Sequence, residues 1–227
     1  MKKYKGLIFD FNGVLIQDQH LHDEVFQVIS REIRRRGLTE EEFNNQVYGR
    51  NNKLIFEYLF GRRLEPKELE QWATKKEMGY QNLARSEGPK YRLSTGAVQL
   101  LEELRSHNIL YTIGTSSPTM NIAFFNEMLG LDRWFDMGKI ICDDGTLRGK
   151  PAPDIYLKAA RALALPPEEC VVIEDAHSGI ASARNAHIGY IIAIGPKESH
   201  ETLRRLEGVN EVIETLNEVD VQRLFGV

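Results

Sequence analysis

Apolar positions along this chain follow two rhythms. Short unbroken runs recur at Gly6–Phe9, Leu110–Gly114, Lys139–Cys142, Val171–Glu174 and Tyr190–Ile194. Each is rich in β-branched or aromatic residues and is bounded by charged or turn residues, as buried strands are. Between most of them the spacing changes to three and four. Gly96–His107 sets Val98, Leu101 and Leu104 on one helical face. Pro118–Leu129 has Ser117 as a candidate cap and Pro118 in the first helical position. Asp154–Leu165 and Ser178–His187 read as further helices, the second with Ser178 as its cap. Strands alternating with helices predict an α/β fold, a doubly wound, Rossmann-like parallel sheet with helices on both faces.

One stretch breaks the alternation. No strand pattern occurs between Ile16 and Tyr91, where Val25, Val28, Ile29 and Ile33 form an apolar stripe that Gly37 is expected to stop. Thr39-Glu40-Glu41-Glu42 reads as a capping box, and Leu54–Phe60 and Pro66–Leu83 continue the helical pattern. The division predicted is an α/β core over 1–15 and 92–227, with an inserted α-helical cap over 16–91. A second box is predicted at Thr215-Leu216-Asn217-Glu218, and Arg34-Arg35-Arg36 is expected to be a solvated helix end.

Composition narrows the function classes. The 227 residues carry a net charge of −4, which gives no general attraction to nucleic acid or anionic membranes. No apolar run approaches the roughly 18 residues of a membrane span. The start, MKKYKGLIFDFNGVL, is broken by Asp10 and Asn12 and does not read as a signal peptide. Cys142 and Cys170 lack metal-ligand spacing, so reduced thiols in a cytoplasmic protein are expected. A monomer or weak dimer is the expected assembly.

Candidate chemistry gathers where strands end. Open α/β sheets bind ligands beyond the carboxyl ends of their strands. Asp10 follows the first run, Thr115 and Ser116 the second, and Glu174-Asp175 the fourth; Lys150 lies in a loop after the third. Asp10 suits a carboxylate nucleophile toward phosphorus. Glu174 and Asp175 suit Mg²⁺ together with Asp10, because hard oxygen ligands match a small hard cation. Lys150 adds positive charge, and the Thr115 hydroxyl can donate to a phosphoryl oxygen.

The motifs FDFNGVL, TIGTSS, GKPAPD and VVIEDAHSGIASARNA, in that order, resemble the four signatures of the haloacid dehalogenase superfamily. The resemblance spans nearly the whole chain and is strongest to the branch of β-phosphoglucomutase and small-metabolite phosphatases, which carry a helical cap. It implies Asp10 as the residue that becomes an aspartyl-phosphate, Thr115 as the phosphate-binding hydroxyl and Lys150 as the neutralising lysine. Mg²⁺ is implied as cofactor, with Asp10, Glu174, Asp175 and the backbone carbonyl of Asn12 as ligands. Arg50, Asn52, Lys53 and Ser116 are implied as substrate contacts, with Asn51, Lys76 and Glu77 as further candidates in the cap. One of His20 and His22 is similar to a histidine near the branch's hinge, and His177 is expected on a surface loop.

Asn12 departs from the pattern, because most family phosphatases have a general acid/base Asp there. An amide transfers no proton near neutral pH, and such transfer contributes about 10²–10⁴ in rate. The expected function is a Mg²⁺-dependent phosphohydrolase or phosphomutase-like enzyme on a small phosphorylated metabolite, slow on poor leaving groups. Replacing Asn12 by Asp is expected to raise the rate. A phosphate-ligand-binding relative with negligible turnover is the alternative. A phosphonoacetaldehyde hydrolase-like reaction through Lys53 ranks below both, as does carbon attack by a dehalogenase.

Overall fold

The computed structural model describes residues 4–227; the first three residues, the basic start of the chain, lie outside it. Six parallel strands build one sheet: β1 (Gly6–Phe9), β2 (Leu110–Pro118), β3 (Ile141–Asp143), β4 (Cys170–Glu174), β5 (Tyr190–Ile194) and β6 (Glu211–Ile213), in the order β3-β2-β1-β4-β5-β6. Every strand is parallel to its neighbours, with Phe9 beside both Ile113 and Ile173. The chain runs outward from β1 in one direction and from β4 in the other, so the order reverses between these two central strands.

The alternation of side chains explains why the strands read as solid apolar runs. Leu7, Phe9, Val171, Ile173, Ile192 and Ile194 join one buried cluster, while Ile8, Cys170, Val172, Ile191 and Ala193 join the other. Successive strand residues point to opposite faces, and a sheet covered on both sides needs apolar residues at every position. Helices α5 (Ala97–Ser106), α6 (Thr119–Leu129) and α10 (Val221–Phe225) cover the first face. Helices α7 (Asp154–Ala162), α8 (His177–Asn185) and α9 (His200–Arg204) cover the second.

Between β1 and β2 the chain is helical: α1 (Gln19–Arg34), α2 (Glu40–Glu42), α3 (Asn52–Phe60) and α4 (Pro66–Glu87), with a π-helical stretch over Phe43–Val47. Leu21, Val25, Phe26 and Ile29 from α1 and Tyr80 and Ala84 from α4 extend the first cluster into this segment. Its entry and exit lie side by side: Ser94 N–H donates to Leu15 O at 2.8 Å, and Ile16 bridges Leu93.

Several predicted details shift. The short strand β6 is additional. β2 runs on to Pro118, so α6 begins at Thr119 and Ser117 is a strand residue. Met137–Lys139 is a 3₁₀ turn, and β3 starts only at Ile141. Val28 is 56% exposed and Val98 37%, so α1 buries the 21/25/29 row and α5 the row of Ala97, Leu100, Leu101 and Leu104. α1 stops on Arg35, which takes the left-handed conformation (φ 62°) ahead of Gly37. Arg34 is no solvated helix end: it and Arg36 each donate to Glu42 at 2.7 Å. That same Glu42 completes the predicted box with Thr39. Glu218 accepts from Thr215 N–H as predicted, at the start of a 3₁₀ turn. Both cysteines are free thiols. No described helix is long and apolar enough to cross a membrane.

Candidate active site

Reversal of strand order puts the ends of β1 and β4 together, and with them the carboxylates. Asp10 N–H donates to Ile173 O at 3.0 Å, so Asp10 leaves β1 beside Glu174, the last residue of β4. One oxygen from each of Asp10, Glu174 and Asp175 lies within 4.8 Å of the others. Glycines make this convergence fit. Gly13 holds φ +78°, and a Cβ there would fall 2.1 Å from Asp175 Oδ2. At Gly179 in α8 a Cβ would fall 1.5 Å from Glu174 Oε1.

Lys150 reaches into the same cluster, 1% exposed. Its Nζ donates to Glu174 Oε1 at 2.6 Å and lies 3.1 Å from Asp10 Oδ1. Glu174 Oε1 also accepts from the Tyr156 hydroxyl at 3.0 Å, and Oε2 from Ala176 N–H at 2.8 Å. Protein donors thus occupy both Glu174 oxygens. Asp10 Oδ1, by contrast, is buried and makes no aligned hydrogen bond; its contact with Lys150 is an ion pair. Burial, reinforced by Glu174 and partly offset by Lys150, pushes the Asp10 carboxyl up to about 7. Burial, with Glu174 and Asp10, also raises Asp175 well above the usual carboxylate range. Burial works against the Lys150 ammonium, but Asp10 and Glu174 outweigh it and hold its pKa above the ordinary value. Three carboxylates therefore share one ammonium. A site with surplus buried negative charge, hard oxygen donors and an unsatisfied Asp10 oxygen fits a divalent cation such as Mg²⁺.

A cavity opens over this cluster. Asp10, Asn12, Thr115, Ser116 and Asp175 line it from the sheet side, and Arg50 and Asn52 from the helical segment. The Thr115 oxygen accepts from Ser117 N–H at 3.1 Å, which leaves its hydroxyl hydrogen to donate. The Ser116 hydroxyl donates to Gly49 O at 2.9 Å, tying the two sides together. Ser178, predicted as a cap, lies inside α8, and its hydroxyl donates to Tyr48 O at 2.8 Å. Lys76 and Glu77 also face the cavity. Lys76 donates to Glu77 at 3.0 Å, and Glu77 accepts from Asn52 at 2.7 Å.

Lys53 is not brought to the cavity. Asn51 caps α3 by accepting from Leu54 N–H, and Asn52 then faces inward. The next residue is about 100° further round the helix and faces solvent. His177 is exposed as expected but opens α8 rather than sitting in a loop. His20 lies at the surface 3.6 Å from Glu87, whereas His22 is buried and stacks on Tyr80 at 4.2 Å.

The pattern of the sequence missed the surroundings of Asn12. The Asn12 amide donates to Asp18 Oδ2 at 2.7 Å, lies 3.2 Å from His22 Nε2 and accepts from the Ser117 hydroxyl at 2.7 Å. Ser117 read as a helix cap from its position, Asp18 drew no reading, and nothing in the chain order points to their meeting.

The haloacid dehalogenase-like hydrolases match residues 4–187. The chain is 26% identical to hexitol phosphatase A of Escherichia coli (strain K12), over 96% of this chain and 94% of that one. It is 29% identical to the β-phosphoglucomutase of Bacillus subtilis (strain 168), over 84% and 83% of the two chains. The crystal structure of a HAD hydrolase of family IA, variant 3, from Entamoeba histolytica HM-1:IMSS superposes with a TM-score of 0.85 at 36% identity, over 98% of each chain. The chain belongs to the haloacid dehalogenase-like hydrolase family.

Proposed function

We propose that the chain is a Mg²⁺-dependent phosphohydrolase of a small phosphorylated metabolite, a sugar or polyol phosphate, acting through transient phosphorylation of Asp10. The observation that carries this reading is the group of buried Asp10, Lys150 and Glu174 with half-buried Asp175 beneath one cavity. A carboxylate poised near 7 and short of cationic partners suits a site completed by a metal and a phosphate together. The named activities of the Escherichia coli and Bacillus subtilis relatives support the substrate class.

Asp10, Asp175 and the backbone carbonyl of Asn12, with Glu174 alongside, would hold Mg²⁺. When bound it would offset the repulsion between an anionic nucleophile and an anionic phosphate. Asp10 attacks phosphorus; a carboxylate oxygen–phosphorus bond forms as the bond to the leaving alkoxide breaks. The alkoxide takes its proton from water, and a second water then attacks the same phosphorus, breaking its bond to the Asp10 oxygen and keeping its proton on the inorganic phosphate released. Lys150 neutralises charge between Asp10 and the phosphoryl oxygens, and Thr115 donates its hydroxyl to those oxygens, while the Ser116 hydroxyl beside it stays on Gly49 O. Glu174 keeps Lys150 in place. The helical segment between β1 and β2 acts as a cap that excludes water and carries Arg50 and Asn52 toward the leaving group. Lys53 drops out of this set, and with it the support for a Schiff-base reaction.

Asn12 transfers no proton, so alkyl phosphates are expected to react slowly and acyl or aryl phosphates less so. That residue also favours a second reading, a relative that binds phosphate ligands with negligible turnover. Hydrolysis of acetyl and p-nitrophenyl phosphate with and without Mg²⁺ separates the two. Mg²⁺-dependent release that disappears in Asp10→Asn supports the enzyme. No release, with a Mg²⁺-dependent rise in melting temperature on adding phosphate, supports the binding relative.

A further inference from the structure

Asp18 is a carboxylate placed where a helix cap belongs, yet it does not cap. It occupies the position before α1, but its side chain accepts from no α1 amide. It turns instead toward the reaction centre, 1% exposed. Its Oδ2 accepts from Asn12 Nδ2 at 2.7 Å and from the Tyr80 hydroxyl, and His22 Nε2 lies 3.5 Å away. Tyr80 is itself buried and paired with the Tyr91 hydroxyl at 2.7 Å, so Asp18 is held from behind. Oδ1 has no hydrogen-bond partner among the described residues.

The donor and acceptor pattern at residue 12 follows from this. A carboxylate accepts only, so Asp18 requires a donor from its neighbour. Asn12 supplies one through Nδ2, and its Oδ1 in turn accepts from Ser117. An aspartate at position 12 would place an oxygen where Nδ2 now lies, 2.7 Å from Asp18 Oδ2. Two acceptors would then face each other in a buried site, and the His22 ring, 3.2 Å from Asn12 Nδ2 and 3.5 Å from Asp18 Oδ2, could offer the pair no more than one N–H. The surroundings are thus complementary to an amide.

We infer that Asp18 is the positioning residue that specifies asparagine at position 12, and that positions 12 and 18 form an interlocked pair exchangeable only together. Asn12 is therefore a built part of the site. On this arrangement Asn12→Asp alone sets the new carboxylate against Asp18, so the gain in rate expected from the sequence should need the change at position 18 as well. Moving the carboxylate across the pair, with Asn12→Asp and Asp18→Asn made together, keeps one donor and one acceptor facing each other.

The test is a cycle of wild type, N12D, D18N and N12D/D18N, each read by melting temperature and by kcat and KM on p-nitrophenyl phosphate and a hexose phosphate in Mg²⁺. N12D alone is expected to lower the melting temperature by about 5 °C or more, as the facing acceptors are left unpaired. The double variant is expected to recover most of that loss and to exceed both N12D and wild type in kcat on the hexose phosphate by about tenfold or more. KM should change less than kcat. If N12D gives no folded protein, recovery of folded protein in the double variant reads the same coupling, and no recovery overturns it. Additive melting shifts, or an N12D variant as stable as wild type and as fast as the double, would also overturn it. The catalytic part rests on the proposed phosphohydrolase reading. The melting cycle does not, so a wild type that turns over neither substrate would sink that reading while the stability coupling still decides the role of Asp18.

Discussion

At the scale of single residues, the chemistry turns on how many charges share one buried space. Asp10, Glu174 and Asp175 meet around Lys150, and burial pushes Asp10 up to about 7 where an unfolded chain has about 3.9. A carboxyl raised on folding binds its proton more tightly in the folded state. Its contribution to stability is full below about pH 4 and is lost as pH rises through about 7. Metal-free protein should therefore lose stability over that window, and Mg²⁺, which needs the ionised carboxylates, should restore more of it at pH 8 than at pH 5. Thermal melts at both pH values with Mg²⁺ or EDTA check this; an equal Mg²⁺ shift at the two would contradict it. The carboxylates of this cluster were legible in the sequence because they sit at or next to strand ends, whereas Lys150, in a loop, stood out through the resemblance of its motif. Their individual states were not, since burial and mutual repulsion exist only once the ends converge.

At the scale of elements, α8 shows how a helix shapes a carboxylate site. Gly179 leaves the room that Glu174 occupies. Gly179→Ala would add about 1 kcal/mol of helix propensity, but the methyl group would displace Glu174 from Lys150 and Tyr156. Disturbing a buried ion pair costs about 3–5 kcal/mol, so a net loss of about 2 kcal/mol or more is expected. Urea denaturation should show that loss together with a fall in Mg²⁺-dependent activity; a stabilised, fully active variant would rule the argument out. Strands and long helices were readable from periodicity, and their ends were less so. Ser117 and Ser178 looked like caps because serine commonly is one. Each instead spends its hydroxyl on a tertiary partner, Asn12 and the Tyr48 carbonyl respectively.

Across the whole molecule, polar links join the sheet and the helical segment around the cavity. Ser116 and Ser178 hydroxyls bond the Gly49 and Tyr48 carbonyls, and Asn121 donates to Glu77 at 2.7 Å. If this segment is the cap proposed above, removing both hydroxyls weakens closure over substrate. Each bond contributes about 0.5–1.5 kcal/mol, so the double variant Ser116→Ala/Ser178→Ala should raise KM about fivefold or more. Steady-state kinetics on p-nitrophenyl phosphate reads this directly, and an unchanged KM would argue that the segment does not open and close. The acidic chain makes local cation supply necessary, and Lys150 provides it inside a cluster that is otherwise negative.

Local order along the chain carries the unbroken apolar runs of strands buried on both faces, the three-and-four spacing of helices, and the reactive side chains at strand ends. These depend on neighbours a few residues apart, so one chain suffices to read them. The tertiary structure alone decided which side chains share a space. Asp18 and Ser117 lie 99 positions apart and clamp opposite ends of one amide, while Lys53 turns to solvent one residue beyond Asn52. Hydrogen-bond complementarity acts over about 3 Å and is blind to distance along the chain, so only the folded arrangement could tell that Asn12 is matched to its surroundings.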